Sequence, residues 1–258
     1  MTEEPTLDGR VAIVTGASRG IGKALALGLA EAGAAVVCAA RTEREAPGGQ
    51  PGTIHATVDA VRAAGGQALA VRCDIGEAAD IEALVVRTLD AYARVDVLVN
   101  NATVATQGLF AEMTPEMWDE SMRVNVRSLY VSCRAVLDPM RAQGSGSIIN
   151  LSSGAADPNI SALLPPGLLA YSVAKAAVER FSTALALEVA DDGIAVNALR
   201  PGAVKTEGTI AQFGEDADWT GWDAPEAVVP SVLYLAAQGG DGYTGHILES
   251  TQYGLSWP

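Results

Sequence analysis

The sequence predicts an α/β fold: a single doubly wound parallel sheet of about seven strands with helices on both faces. Two observations carry that prediction. Short runs rich in Val, Ile and Ala alternate with longer runs whose apolar residues recur every three or four positions. The short runs are apolar throughout, as strands covered on both sides are, and do not alternate with polar residues. Strand, helix and parallel strand in succession make right-handed crossovers, so repetition of the unit winds one sandwich. No linker, repeat or low-complexity tract divides the 258 residues, and 1–258 are read as one domain.

The elements follow in order. RVAIVT (10–15) is the first strand, and TGASRGIG (15–22) opens the helix IGKALALGLAEAG. AVVCAA (35–40) is followed by the loop EREAPGGQPG (43–52) and the helix TIHATVDAVRAAGG. ALAVRC (68–73), the helix IEALVVRTLDAYA and VDVLV (95–99) come next. Residues 114–143 read as one long helical segment, opened by Thr114 as cap and Pro115 at the first helical position. SIINL (147–151) leads through the Pro-containing loop GAADPNISALLPPGLL (154–169) to AYSVAKAAVERFSTALALEVADDG. IAVNAL (194–199) and a weaker HILE (246–249) complete the sheet. Pro230 falls inside a last helix at 225–237 and is expected to kink it. Loops 43–52 and 154–169 leave the carboxyl edge of the sheet, where open α/β sheets bind ligands.

Composition excludes several classes of function. Net charge is −14 with no basic cluster, which argues against nucleic acid and anionic membranes as partners. Cys38, Cys73 and Cys133 are odd in number and far apart, and read as structural thiols in a reducing compartment. His55 and His246 are isolated, so no metal site is expected. The acidic N-terminus lacks an apolar core, and no apolar run is long enough for a bilayer. A cytoplasmic protein is expected.

The turn after the first strand places Gly16, Gly20 and Gly22 where a pyrophosphate could approach the backbone at a helix N-terminus. The second strand ends at Ala40, where a carboxylate would bond ribose hydroxyls and repel a 2′-phosphate. Arg41 follows and Arg19 lies in the turn, so NADP(H) is favoured over NAD(H). Asp74 is a candidate acceptor for an adenine amino group, and Asn100, Asn101 and Ala102 are candidate walls of the adenosine cleft. Tyr171 and Lys175 lie four apart on one helix and share a face. The ammonium and a positive nicotinamide are expected to favour phenolate and bring the tyrosine toward the working range. Ser152-Ser153 ends the fifth strand, Asn125 lies in an otherwise helical run, and PGAVKT (201–206) follows the sixth strand.

In that order, TGASRGIG, CDI (73–75), NNA (100–102), Asn125, Ser153, YSVAK and PGAVKT strongly resemble the short-chain dehydrogenase/reductase family over residues 9–249. The resemblance implies a Rossmann-type fold and a catalytic tetrad of Asn125, Ser153, Tyr171 and Lys175. Tyr171 would exchange a proton with the substrate oxygen while hydride passes to or from the nicotinamide. Ser153 would position that oxygen, Lys175 would bind the ribose and lower the Tyr171 pKa, and Asn125 would hold a water linked to Lys175. The implied cofactor contacts are Gly16, Ser18, Arg19, Gly20, Ile21 and Gly22 from the turn, with Arg41, Asp74, Ile75, Asn101 and Ala102. Tyr171, Lys175, Pro201, Gly202, Val204 and Thr206 complete them. The run from RTERE to CDI resembles the hydroxysteroid dehydrogenase-like branch.

The chain departs from the family pattern in two places. Thr103 stands where the family carries glycine, a change expected to be tolerated. Ser153 precedes Tyr171 by eighteen residues where about thirteen are usual, which leaves Ser152, Ser153 and Ser161 as candidates, with Ser153 preferred. Phe213, Trp219 and Trp222 in the segment 207–223, with Leu163, Leu164, Pro165, Pro166 and Leu168, suggest an apolar mouth for a hydrophobic ketone or secondary alcohol. The aromatics could equally pack a lid or a subunit contact. The family implies a homo-oligomer, dimer or tetramer. Tyr253 and Trp257 are expected to be exposed, reaching a neighbour's site or capping their own. Two other functions stay open: a non-catalytic cofactor-binding regulator, and an epimerase or dehydratase using the same Tyr-Lys pair.

Overall fold

A computed structural model describes residues 6–159 and 165–258. The seven strands are β1 (Val11–Thr15), β2 (Ala35–Ala40), β3 (Gln67–Arg72), β4 (Val97–Asn100), β5 (Gly146–Leu151), β6 (Ile194–Arg200) and β7 (Ile247–Glu249). They form one parallel sheet in the order β3-β2-β1-β4-β5-β6-β7. The order reverses between β1 and β4, where Ile13 pairs with Val37 on one side and Leu98 on the other. Connections leave the two strands in opposite directions there, which opens a crevice at their carboxyl ends.

Among the described residues the eight α-helices are α1 (Gly20–Glu31), α2 (Ile54–Ala63), α3 (Ala78–Tyr92), α4 (Pro115–Met122), α5 (Ser128–Gln143), α6 (Leu169–Val189), α7 (Glu207–Phe213) and α8 (Val229–Ala236). Side chains cap several of them: Thr53 accepts from the Ala56 N–H, and Thr114 from the Met117 N–H. Successive strand residues face opposite cores. Ala12 and Val14 pack with Leu25 and Leu29 of α1 and Val232 and Leu235 of α8. Val11 and Ile13 pack with Leu84 of α3, Val136 of α5 and Val178 of α6. Burial of both faces explains why the strands read as unbroken apolar runs.

Three details depart from expectation. Residues 114–143 are not one regular helix: a π-helical turn, Arg123–Arg127, separates α4 from α5 and carries Asn125. Pro230 does not kink a helix, because α8 begins at Val229 and a Pro in the first turn lacks only an N–H that would be unpaired there anyway. Trp257 is 6% exposed and not a free tail residue. Its indole donates to the Glu249 carbonyl at 2.9 Å and its ring packs on Tyr234 and Tyr253, so the C-terminal segment closes the protein's own core. Among the described residues no helix is long and apolar enough to cross a membrane.

Candidate active site

The crevice is built from backbone contacts that tolerate no side chain. A Cβ on Gly22 would lie 2.2 Å from the Gly16 carbonyl oxygen and 2.6 Å from Asn101 Nδ2. Gly16 has φ +68°, and its Cβ would meet the Ala102 Cα at 3.0 Å. Thr15 ties the turn to β4: its hydroxyl donates to the Val99 carbonyl and accepts from the Asn101 and Ala102 N–H groups. Asn101 donates its carboxamide to the Thr15 carbonyl at 2.8 Å, so it holds the glycine turn as well as lining the crevice.

The resulting cleft of about 370 Å³ is lined by Gly16, Ser18, Arg19, Gly20, Ile21 and Gly22, by Arg41, Asp74 and Ile75, and by Asn101, Ala102 and Thr206. It shares Arg19, Arg41 and Gln50 with a second pocket of about 630 Å³ walled by the 43–52 loop, to which Arg44 and His55 also contribute. The 43–52 loop, placed at the ligand-binding edge from the sequence, brings Arg44 to this pocket, whereas His55 reads only as an isolated histidine. Arg19 donates to Gln50 at 2.8 Å and to the Gly52 carbonyl at 3.1 Å, while its buried Nε has no protein partner. Pro201, Gly202 and Val204 shape the exit from β6; Gly202 has φ +83° and Val204 is buried and bridged to Asp223.

Asn100 does not join the adenosine walls. As the last residue of β4 it alternates in direction with Asn101 and points inward, donating to Asn150 Oδ1 at 2.9 Å. It walls a cavity of about 10 Å³ together with Asn125, Ser128, Ser132 and Lys175, a polar space of about one water's size.

Across the cleft, the start of α6 brings Tyr171 to the end of β5. The hydroxyls of Ser153 and Thr103 act on its phenol and draw its pKa down. The Ser153 hydroxyl also accepts from the Ala155 N–H at 3.2 Å. Ser152 faces inward instead: its hydroxyl donates to Glu179 Oε1 at 2.7 Å. Ser153 is therefore the serine of the pair that meets Tyr171, whereas Ser161, Leu163 and Leu164 lie outside the described residues. Asn125 makes four bonds. It accepts from the Thr103 hydroxyl at 2.6 Å and the Val104 N–H at 3.0 Å, and donates to the Val104 carbonyl at 2.9 Å and to Ser121 at 3.3 Å. The π-turn thereby fastens the loop after β4.

Lys175 is 4% exposed, and its Nζ lies 5.6 Å from the Tyr171 ring centre and donates to the Leu151 carbonyl at 2.7 Å. No carboxylate pairs with it among the described residues, and burial pulls the amine down to about 8. Burial pushes the phenol above its ordinary value and outweighs the hydroxyls of Ser153 and Thr103, which pull it back in part.

Lys175→Met is expected to stabilise the fold on the order of 2 kcal/mol near neutral pH, because it removes a desolvated charge. The folded pKa lies below the unfolded one, so the penalty is full below about pH 8 and fades as pH rises toward 10.5. Urea denaturation of both proteins at pH 7 and pH 10 checks this: the gap should narrow at the higher pH.

One more group of residues was not legible from the sequence. Arg200, the last residue of β6, donates twice to Glu179 of α6 at 2.6 and 2.9 Å, and to Asp157 at 3.1 Å and Glu249 at 3.0 Å. It joins the helix of Tyr171 and Lys175, the start of the 154–169 loop and the end of β7. Leu109 and Phe110, exposed on the loop after β4, also went unnoticed. The Gly108 N–H bonds the Gly167 carbonyl at 3.0 Å, which sets this loop beside the end of the 154–169 loop.

A glycine turn at the switch point, facing a Tyr-Lys pair across the crevice, defines an NAD(P)-dependent oxidoreductase. Residues 10–216 match the family described as short chain dehydrogenase. A 3-oxoacyl-[acyl-carrier-protein] reductase of Synechocystis sp. is 35% identical over 90% of this chain and 94% of its own. Two solved structures are similar: a 3-oxoacyl (acyl-carrier-protein) reductase of Agrobacterium tumefaciens with NADP bound, and a gluconate 5-dehydrogenase of Burkholderia cenocepacia in complex with NADP and tartrate. The first has a TM-score of 0.80 at 30% identity, covering 95% of this chain and 93% of that one. The second has a TM-score of 0.81 at 29% identity, covering 95% and 94%. The chain belongs to the short-chain dehydrogenase/reductase family.

Proposed function

We propose that the protein interconverts a hydrophobic ketone and a secondary alcohol with NADP(H), using Tyr171 as the acid/base. The observation that carries this reading is the meeting of Ser153 and Tyr171 above a buried Lys175 that has no carboxylate partner. The glycine cradle and the unpartnered Arg19 Nε fit a bound dinucleotide. When bound, the nicotinamide cofactor donates or accepts the hydride. The turn Gly16–Gly22 takes the pyrophosphate, and Asp74, Ile75, Asn101 and Ala102 line the adenosine side. Lys175 holds ribose hydroxyls and offers its charge to the phenolate. Ser153 orients the substrate oxygen, and Asn125 with its neighbouring polar cavity supports a water-mediated route behind Lys175.

NADP(H) is preferred because Arg41 and Arg44 wall a pocket that extends the cleft and Ala40 brings no carboxylate. The NADP held by the Agrobacterium and Burkholderia relatives supports the same choice. Arg41→Ala is expected to raise the NADPH Kd about tenfold or more while leaving NADH binding unchanged, as loss of a charge-assisted bond to phosphate does. Fluorescence titration with both cofactors measures it.

Leu109, Phe110 and Leu168, with Phe213, Trp219 and Trp222, support an apolar mouth for the substrate. Those three aromatic rings also pack edge-on against one another, so α7 and the segment after it form a coherent lid. Exposed Tyr130 on α5 and Val173 and Leu187 on α6 support self-association through those helices. Three buried, unpaired thiols support a reducing, cytoplasmic setting. A panel of apolar ketones and alcohols, assayed with NADPH and NADH, tests the reading; turnover of small charged substrates alone would overturn the substrate class.

A further inference from the structure

The 43–52 loop is bonded onto the glycine turn. Gly52 closes it: φ is +102°, and a Cβ there would lie 2.4 Å from the Ser18 carbonyl oxygen, so only glycine admits the contact. Glu45 takes the Gly52 N–H at 3.0 Å, and the Gly49 N–H bonds the Ala46 carbonyl at 2.9 Å. Folded this way, the loop carries Gln50 back to the turn, where its side-chain oxygen accepts from Arg19 Nη1 at 2.8 Å. A guanidinium only donates, so the carbonyl oxygen of Gln50 is the atom that faces Arg19, and its amide nitrogen is turned away. Among the described residues that nitrogen has no acceptor, and both its hydrogens are left for the pockets that Gln50 lines.

We propose that Gln50 determines specificity for the phosphorylated cofactor: its oxygen fixes Arg19, and its amide N–H groups donate to the 2′-phosphate. The inference rests on the NADP(H) reading above. Arg19 is held by Gln50, by the Thr42 hydroxyl at 3.3 Å and by the Gly52 carbonyl at 3.1 Å, so its charge is set in place before a ligand arrives. Its buried Nε still has no protein partner. Gln50 itself brings no charge. It gains two acceptors from a phosphate and loses nothing when a ribose hydroxyl stands there instead.

Place and charge agree with that role. The cofactor cleft and the larger pocket have Arg19, Arg41, Thr42 and Gln50 in common, so Gln50 stands at their junction, beside the end of β2. In a chain of net charge −14, the larger pocket gathers Arg19, Arg41 and Arg44 against Glu43. Glu43 lies 3.7 Å from His55 Nε2, and Arg41 lies 3.8 Å from Asp74 in the cleft. The guanidiniums therefore outnumber the carboxylate where the loop covers the turn, as an anion requires.

Calorimetric titration with adenosine 2′,5′-bisphosphate and with adenosine 5′-monophosphate isolates this subsite from catalysis. Gln50→Met should raise the Kd of the bisphosphate about tenfold, as loss of hydrogen bonds to a charged group does, and leave that of the monophosphate unchanged. Gln50→Glu keeps an oxygen for Arg19 but sets a second oxygen where the amide nitrogen was. It should raise the bisphosphate Kd about a hundredfold, because like charges then meet. A residue that only propped Arg19 would behave differently: Gln50→Glu would bind as wild type or better, since a carboxylate holds the arginine more firmly. Unchanged bisphosphate affinity in Gln50→Met, equal losses for both nucleotides, or wild-type affinity in Gln50→Glu would overturn the proposal. Gln50 is exposed on its loop, so both variants should fold with a Tm near that of wild type. Wild-type protein that binds the bisphosphate no more tightly than the monophosphate would sink the NADP(H) preference itself and Gln50 with it. A wild-type preference that survives in Gln50→Met would overturn the role of Gln50 alone.

Discussion

Tyr171→Phe is expected to lower kcat by roughly 10²- to 10⁴-fold in both directions while leaving cofactor affinity and stability close to wild type. The substitution removes one oxygen and keeps the ring that Lys175 approaches at 5.6 Å. The neighbouring hydroxyls keep their own partners: Ser153 accepts from the Ala155 N–H, and Thr103 donates to Asn125. Lost activity would therefore report lost proton transfer, not collapse of the site. The pH dependence has a definite sign. Oxidation needs the phenolate and should rise with pH through the tyrosine pKa, and reduction needs the phenol and should fall. Burial holds that pKa above the ordinary value in the chain alone, so activity near neutral pH in the oxidative direction depends on positive charge beside the phenol. Steady-state kinetics of both directions across pH, with a cofactor titration of the variant, measures each part. Retention of full carbonyl reductase activity by Tyr171→Phe would sink the mechanism.

The fold was legible because each strand carries its own signal: Val11 and Ile13 face one core, Ala12 and Val14 the other, and both faces must be apolar. The Tyr-Lys pair and the glycine turn were legible for a related reason, since each is a few residues long and its geometry is local. What escaped was set by direction and convergence. Asn100 and Asn101 are adjacent and chemically identical, yet the strand turns one inward and the other toward the glycine turn. Asn125 reads as part of a helix, and nothing in RVNVR marks the π-turn that carries it. Thr103 reads only as a tolerated replacement of glycine, and its bond to Asn125 at 2.6 Å is a convergence of two distant segments. Trp257 reads as a free tail because its partners, Tyr234 and Tyr253, belong to other segments.

Arg200 is the clearest case of convergence, and its removal should have the largest effect on stability. Arg200→Met is expected to cost about 3–5 kcal/mol, the range for leaving a buried ion-pair partner uncompensated. The guanidinium side chain is 13% exposed and that of Glu179 is 8% exposed, so water replaces little of what is lost. Without Arg200, Glu179 keeps the Ser152 hydroxyl as its side-chain donor. For a chain of this length such a loss lowers Tm by roughly 10 °C or more. The same substitution should also reach the site. Asp157 loses its bond to Arg200 at the start of the 154–169 loop, and Ser152, next to Ser153, stays attached to a carboxylate no longer held from below. KM for substrate should then rise more than kcat falls, because the proposed substrate wall is loosened while Tyr171 and Lys175 remain on their helix. A double-mutant cycle with Glu179→Gln separates the two effects. Neutralising Glu179 should recover much of the stability lost in Arg200→Met, since it removes the stranded charge, yet leave KM high, since Asp157 is still unanchored. Equal recovery of both would mean that Arg200 acts on the loop only through Glu179, and a Tm within a degree or two of wild type would show that the buried pair contributes little net stability.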